Sequence, residues 1–248
     1  ELEAPFFYMP ALPTDNAHVT KDQYSAWDTL DDRYKKQMIE GSWVNFDLDG
    51  KRWAYAYDEV KHKGLFDIIP NLPLILSFDF NKNPICCSVL QIQQSSTIWV
   101  HETIKLETSD IYQLCDYIIA NYGNRLFKVT GDASGNSTSA MVKDNLTYYL
   151  IIRTKLNLSN HQMDVPSVNP SLEDNRVLVN SLLSRGNVHI HETKAAALHF
   201  DLANVKVDPD GSIDKSNRKD PTKQADALDT FRYACNTYLK NFIYLPDK

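Results

Sequence analysis

Residues 72–80 read LPLILSFDF. Leu74, Ile75, Leu76 and Phe78 make a mostly apolar run, the pattern of a central strand covered on both faces. Asp79 stands near its end. An acid at the end of an apolar strand costs free energy unless water, a partner or a metal ion meets it. The fold and the candidate chemistry both start from these nine residues.

Outward from this run, Pro84–Gln94 and Thr97–Leu106 predict two further strands, which with the first make a meander. Ser109–Tyr122 predicts a helix, with Ile111, Leu114, Cys115 and Ile118 on one face. Arg125–Thr130 predicts a strand ending at Gly131-Asp132. Beyond it the pattern predicts a long helix over Thr138–Leu156, a short strand over His161–Val165, and a helix over Ser171–Arg185 closed by Gly186. A strand over Asn187–Ile190, a helix over Thr193–Leu202, a polar loop or exposed hairpin over 204–223, and a helix over Thr222–Leu239 complete the chain. A meander followed by strand–helix alternation implies an α/β fold with a mixed sheet covered by helices.

Upstream, Pro5, Pro10 and Pro13 mark an extended lead-in. Tyr24, Trp27, Leu30, Tyr34 and Met38 fall at helical spacing and Gly41 stops that helix. Asp49-Gly50 signals a hairpin within 42–60. Residues 1–60 are therefore expected as a linker with a helical and hairpin appendage, and 61–248 as the main domain. The start on Glu1 suggests a piece of a longer protein.

The chain has 248 residues, 43% of them hydrophobic. A chain of that size buries roughly 70–75% of its unfolded surface without a disulfide or structural metal. Eight glycines exclude a collagen-like chain, and a net charge of −6 excludes a histone-like coat. It does not exclude an enzyme that holds DNA through metal ions and a local basic stripe. Cys86, Cys87, Cys115 and Cys235 form no CxxC pair and are too few for a disulfide scaffold, which points to a reducing compartment. No apolar run approaches the roughly 20 residues of a membrane span.

Three acids mark the ends of predicted elements. Asp79 ends the first strand, Asp132 in VTGDASGN follows the fourth, and Asp229 in QADALDTFRYA lies early in the last helix. They meet if the two strands are neighbours and the helix packs across their ends. Asp226 lies three residues before Asp229 on the same helical face, as a fourth ligand or as an acid favoured by the helix dipole. Clustered carboxylates suit two Mg²⁺ or Mn²⁺ ions and phosphodiester hydrolysis. Each acid taken alone is equally a turn former or a helix cap.

With those residues in place, the chain resembles the C-terminal nuclease domain of tailed-phage terminase large subunits. The resemblance runs through PALPTDNAHVTKDQYSAWDTLDDRYKKQMIEGSW (10–43), LSFDFNKNP (76–84), VTGDASGNS (129–137), NPSLEDNRVLVNSLL (169–183) and DALDTFRYA (226–234). It implies an RNase H-like fold with a helical N-terminal appendage. It implies metal-dependent endonucleolytic cleavage of concatemeric double-stranded phage DNA, with Asp79, Asp132 and Asp229 as catalytic metal ligands. Asp226 transfers less directly, because the family varies there. The implied partners are double-stranded DNA, the small terminase subunit, the portal and an ATPase half, in the host cytoplasm. No GxxxxGK[ST] loop occurs in the chain, so packaging ATP hydrolysis is not expected of it. The rivals are another RNase H-like DNA enzyme, such as a resolvase or transposase, and a non-catalytic module that docks DNA or a portal.

Lys215, Arg218, Lys219 and Lys223 precede the Asp229 helix, where positive charge would meet phosphates. A solvated loop explains them as well. Lys61-His62-Lys63 and Lys51-Arg52 are weaker candidates for the same role. His189, His191 and His199 lack the spacing of a zinc set. Cys86 and Cys87, adjacent on a strand, face opposite sides.

Overall fold

The computed structural model describes residues 12–28, 35, 39–40, 51–81, 83–93, 96–137, 146–208 and 212–242. In chain order its elements are α1 (Lys21–Asp28), α2 (Glu59–His62), β1 (Lys63–Gly64), β2 (Leu74–Asp79), β3 (Ile85–Ile92), β4 (Ile98–Leu106), α3 (Ile111–Tyr122), β5 (Phe127–Gly131), α4 (Tyr148–Lys155), α5 (Leu172–Ser184), β6 (Val188–His191), α6 (Ala196–Asn204) and α7 (Asp226–Leu239). Among the described residues six strands form one sheet in the order β1-β6-β4-β3-β2-β5. β2, β3 and β4 are an antiparallel meander. β5 lies parallel to β2, and β6 parallel to both β4 and β1. The mixed sheet expected from the sequence is thus the one found.

Every residue of β2 is buried, because helices cover both faces. The period of two in a strand then sorts its side chains. Leu74, Leu76 and Phe78 join Cys87, Val89, Phe127 and Val129 in a core roofed by α3 and α4. Ile75 joins Cys86, Leu90, Val100 and Ile190 in a second core roofed by α5, α6 and α7. Ser77 and Asp79 share that second face. The two adjacent cysteines fall into different cores, as the alternation requires.

Helix ends follow local chemistry. Asp110 caps α3 through Gln113 N–H at 2.9 Å, and Ser171 caps α5 through Asp174 N–H at 3.1 Å. Gly186, at φ 73°, turns the chain out of α5. Thr147 caps α4 through Leu150 N–H at 3.2 Å. The helix expected over Thr138–Leu156 is therefore a shorter one beginning at Tyr148, and the 138–145 part of that expectation lies outside the described residues. The strand expected over His161–Val165 reduces to one bridge from Met163 to Val129, because Asn160–Gln162 take up a 3-10 turn instead. The expected Asp49-Gly50 hairpin, Gly41 and most of 29–40 also lie outside the described residues.

Trp53, Ala54 and Tyr57, upstream of residue 60, belong to the second core. Asn180 of α5 ties them down, donating to Trp53 O at 3.1 Å and accepting from Ala56 N–H at 2.9 Å. Residues 51–53 also pair with the polar stretch after α6: Trp53 N–H donates to Val205 O and Val207 N–H to Lys51 O, both at 2.8 Å. That stretch folds back through a Val207–Ile213 bridge, so its ends are anchored rather than freely exposed.

Candidate active site

The register of β2 and β5 places two acids side by side. Phe78 pairs with Gly131 in parallel, and Asp132 N–H donates to Phe78 O at 2.9 Å. Asp79 and Asp132 thus sit at the carboxyl ends of adjacent parallel strands, where open α/β sheets bind ligands. Two glycines permit the approach. Gly131 has φ 143°, and a Cβ there would stand 2.3 Å from Phe78 O. A Cβ on Gly135 would stand 2.2 Å from the Phe80 ring. Between them Asp132 opens the 3-10 turn Ala133–Asn136, its Oδ1 accepting from Ser134 N–H at 2.8 Å and from Asn169 Nδ2 at 2.7 Å. The turn-cap reading of Asp132 is therefore correct as far as its Oδ1 goes. Asn169 also accepts from Ala133 N–H at 2.9 Å, locking the turn from the loop before α5.

α7 brings the other two acids. It crosses β2, β3 and β5 and is pinned there by hydroxyls. Ser77 donates to Thr230 O at 2.6 Å, Ser88 and Thr230 hydroxyls share a bond of 2.6 Å, and those of Thr130 and Thr237 share one of 2.7 Å. Asp226 and Asp229, in the first turn of α7, are thereby set over Asp79. Asp79 is 4%, Asp226 0% and Asp229 1% exposed, so this is a carboxylate group out of water.

Cations and amides hold it. Asn81 Nδ2 donates to Asp79 at 2.5 Å and to Asp226 at 2.9 Å, linking strand acid to helix acid. Lys215 and Arg232 both pair with Asp229, Arg232 Nε at 2.6 Å. Arg218 pairs with Asp226, and Lys105 Nζ lies 3.6 Å from Asp226 Oδ2. That Oδ2 is buried and accepts no hydrogen bond among the described residues. Burial pushes the Asp79 carboxyl up to about 8; the Asp229 charge adds to the push and Lys215 opposes it. Burial likewise raises Asp226, and takes Asp201 of α6 up to about 7. Asp201 Oδ2 accepts from Ala227 and Leu228 N–H at 2.9 and 3.0 Å.

Four sequence candidates, Asp79, Asp132, Asp226 and Asp229, are therefore gathered at one end of the sheet. The basic candidates behave differently. Lys215 and Arg218 lie on the acids, Lys223 pairs with Asp214 at 2.7 Å, and Lys219 is exposed with no side-chain bond among the described residues. The Lys61-His62-Lys63 cluster is taken up by the fold: Lys61 and His62 donate to Ser184 O and Leu183 O at 2.7 and 2.9 Å, and Lys63 pairs with Glu59. His189 stacks on Trp99 at 4.2 Å and His199 Nδ1 bonds the Tyr57 hydroxyl at 2.6 Å.

Sequence reasoning passed over Asn81, Lys105, Asn169, Asp201 and Arg232. Asn81 and Arg232 lie two and three residues from Asp79 and Asp229, a local signal that was available. Lys105, Asn169 and Asp201 come from distant elements and carried none.

An all-oxygen donor set, with one buried Asp226 carboxylate oxygen lacking a hydrogen bond, fits a hard divalent cation. Among the described residues, no three His, Cys, Asp or Glu side chains are gathered closely enough to hold an ion as they stand. The carboxylates are turned onto Lys215, Arg218, Arg232 and Asn81.

Fold and site together define an RNase H-like α/β domain with an acidic cluster at its strand ends. No family model and no curated protein matches the sequence. Solved structures do. The large terminase of a thermophilic bacteriophage superposes with TM-score 0.64 at 14% identity, over 92% of this chain and 55% of that one. The complex of that terminase with ADP gives TM-score 0.64 at 15% identity, over 91% of this chain and 54% of that one. The P22 large terminase nuclease domain gives TM-score 0.56 at 15% identity, over 75% of this chain and 92% of that one. The chain has the fold of a large terminase nuclease domain, and spans about half the length of the thermophilic phage's terminase.

Proposed function

We propose that this domain is a metal-dependent endonuclease that cuts concatemeric double-stranded phage DNA during genome packaging. The observation that carries the reading is the burial of Asp79, Asp226 and Asp229 together beside Asp132. Lys105, Lys215, Arg218 and Arg232 offset the charge of this group in this structure, and the buried Asp226 oxygen without a hydrogen bond is what a further cation would take up. Asp79, Asp132, Asp229 and Asp226 would hold two Mg²⁺ or Mn²⁺ ions. Bound there, such ions supply the acidity that makes water nucleophilic at neutral pH and the charge that offsets the departing 3′ oxygen.

The chain's own residues do the rest. To serve as a ligand Asp79 would have to lose to solvent the proton that burial favours on it, and the carboxylates would have to turn from their basic partners. Asp132 is half-buried and so less enclosed than Asp79, Asp226 and Asp229. Lys215 and Arg218, if released from Asp229 and Asp226, would join Lys219 and Lys223 as contacts for the DNA backbone. Contacts to phosphate carry little base information, so cutting is expected to be weakly sequence-specific. The small terminase subunit, the portal and an ATPase half are the proposed partners, and the host cytoplasm the proposed location. No helix among the described residues is long and apolar enough to cross a membrane.

The test is plasmid nicking with Mn²⁺, Mg²⁺ or EDTA, on the native chain and on Asp132→Asn, beside thermal unfolding with and without Mn²⁺. Metal-dependent cleavage lost in the variant is the expected result. No cleavage with any metal, and a melting temperature indifferent to Mn²⁺, would overturn the reading in favour of a docking module. Preference for a four-way junction over plain duplex would favour a resolvase.

A further inference from the structure

α7 begins without a cap of its own. Ala225 at its N-cap takes the left-handed conformation, φ 58°, and has no side chain to accept from the first turn. Helix starts leave backbone N–H groups that need acceptors. Here the acceptor comes from another helix: Asp201 Oδ2 takes both Ala227 and Leu228 N–H, at 2.9 and 3.0 Å. Those two amides lie between Asp226 and Asp229, in the turn that separates the two helix acids.

The location is unfavourable for stability alone. Asp201 is 2% exposed, and it lies near the already buried Asp226 and Asp229. A buried carboxylate is a costly acceptor for this purpose. What Asp201 adds is a single rigid oxygen, mounted on α6, that fixes the rotation and height of the first turn of α7. The hydroxyl ties of Ser77 and Ser88 to Thr230 hold the next turn. The segment carrying Asp226 and Asp229 is thus held from both ends.

We propose that Asp201 is a positioning residue for the acidic centre, presetting Asp226 and Asp229 for a divalent cation without touching it. The proposal rests on the metal reading above. Groups that orient metal ligands typically contribute 10–100-fold in affinity.

The experiment compares Asp201→Leu and Asp201→Asn with the native chain. Mn²⁺ affinity is read by electron paramagnetic resonance titration, and amide exchange at Ala227 and Leu228 is read in the metal-free protein. Leu removes the acceptor together with the buried charge, so the fold is expected to survive. Mn²⁺ affinity should fall roughly 10–100-fold, and the two amides should exchange roughly tenfold faster, the worth of about one hydrogen bond. Asn keeps an acceptor oxygen and should restore both readouts close to the native values. Unchanged Mn²⁺ affinity in a folded Leu variant would overturn the proposal while leaving the metal reading intact. If the Leu variant does not fold, the Asn variant decides: weak Mn²⁺ binding with both amides still protected would overturn it. A native chain that binds no Mn²⁺ removes the metal reading and the positioning role with it; the exchange data then report the cap alone.

Discussion

Replacing Asp79 by Asn tests the electrostatics of the site most directly. The Asp79 carboxyl is pushed from its ordinary 3.8 up to about 8, first by burial and then by Asp229. Because the folded value is the higher one, its contribution to stability is fully present below pH 3.8 and is lost as pH rises through about 8. At about 1.4 kcal/mol per pH unit the gap sets a ceiling of about 6 kcal/mol. Water penetration and side-chain rearrangement on ionisation relax part of this, leaving an expected cost of about 3 kcal/mol. Asn has the same shape, is neutral at every pH, and still offers Asn81 an acceptor. In EDTA at about pH 8.5, Asp79→Asn should therefore be more stable than the native chain by about 3 kcal/mol, a rise in melting temperature of about 6–12 °C for a domain this size. Near pH 4 the two should converge. With Mn²⁺ at about a hundred times its dissociation constant, the native chain should gain about 2.7 kcal/mol and the variant nothing. Thermal unfolding across pH, with EDTA and with Mn²⁺, measures all of this. A variant no more stable than the native chain at high pH in EDTA, or a difference that does not shrink toward low pH, would refute the reasoning.

Gly131→Ala should destabilise by about 3 kcal/mol or more, since it combines a disfavoured backbone conformation with a clash against Phe78. The urea midpoint measures it, and an unchanged midpoint would show that the strand ends are less tightly apposed than described. All four cysteines are buried and their thiols raised by burial. An aromatic disulfide reagent should titrate none of them in the native chain and all four in guanidinium; a fast native thiol would contradict the packing of the two cores.

The meander and the helices around it were legible because their patterns are local. The apolar run ending at Asp79, the alternation through Cys86 and Cys87, and the caps at Asp110 and Ser171 each announce an element within a few residues. Where expectation failed, a local competitor prevailed. Thr147 starts α4 later than the apolar pattern suggested, and a 3-10 turn at Asn160–Gln162 displaces a strand. The basic stretch 215–223 was recognisable as charge, but its orientation was not. Lys215 and Arg218 fold onto buried acids because unpaired carboxylates out of water cost far more than solvated ammonium or guanidinium groups gain by staying free.

By itself the sequence determined most of the strands and helices, the faces they bury, and that Asp79, Asp132 and Asp229 lie at element ends. Those properties follow from periodicity and composition within single segments. Only the tertiary structure decided that β5 pairs with β2, which sets Asp132 beside Asp79, and that α7 lies across both. It alone brought Lys105, Asn169 and Asp201 to the acids. Partners on different elements depend on strand register, helix crossing and the rotation of each helix about its axis. No period along the chain encodes those quantities, since they are settled when the two cores pack on either side of the sheet.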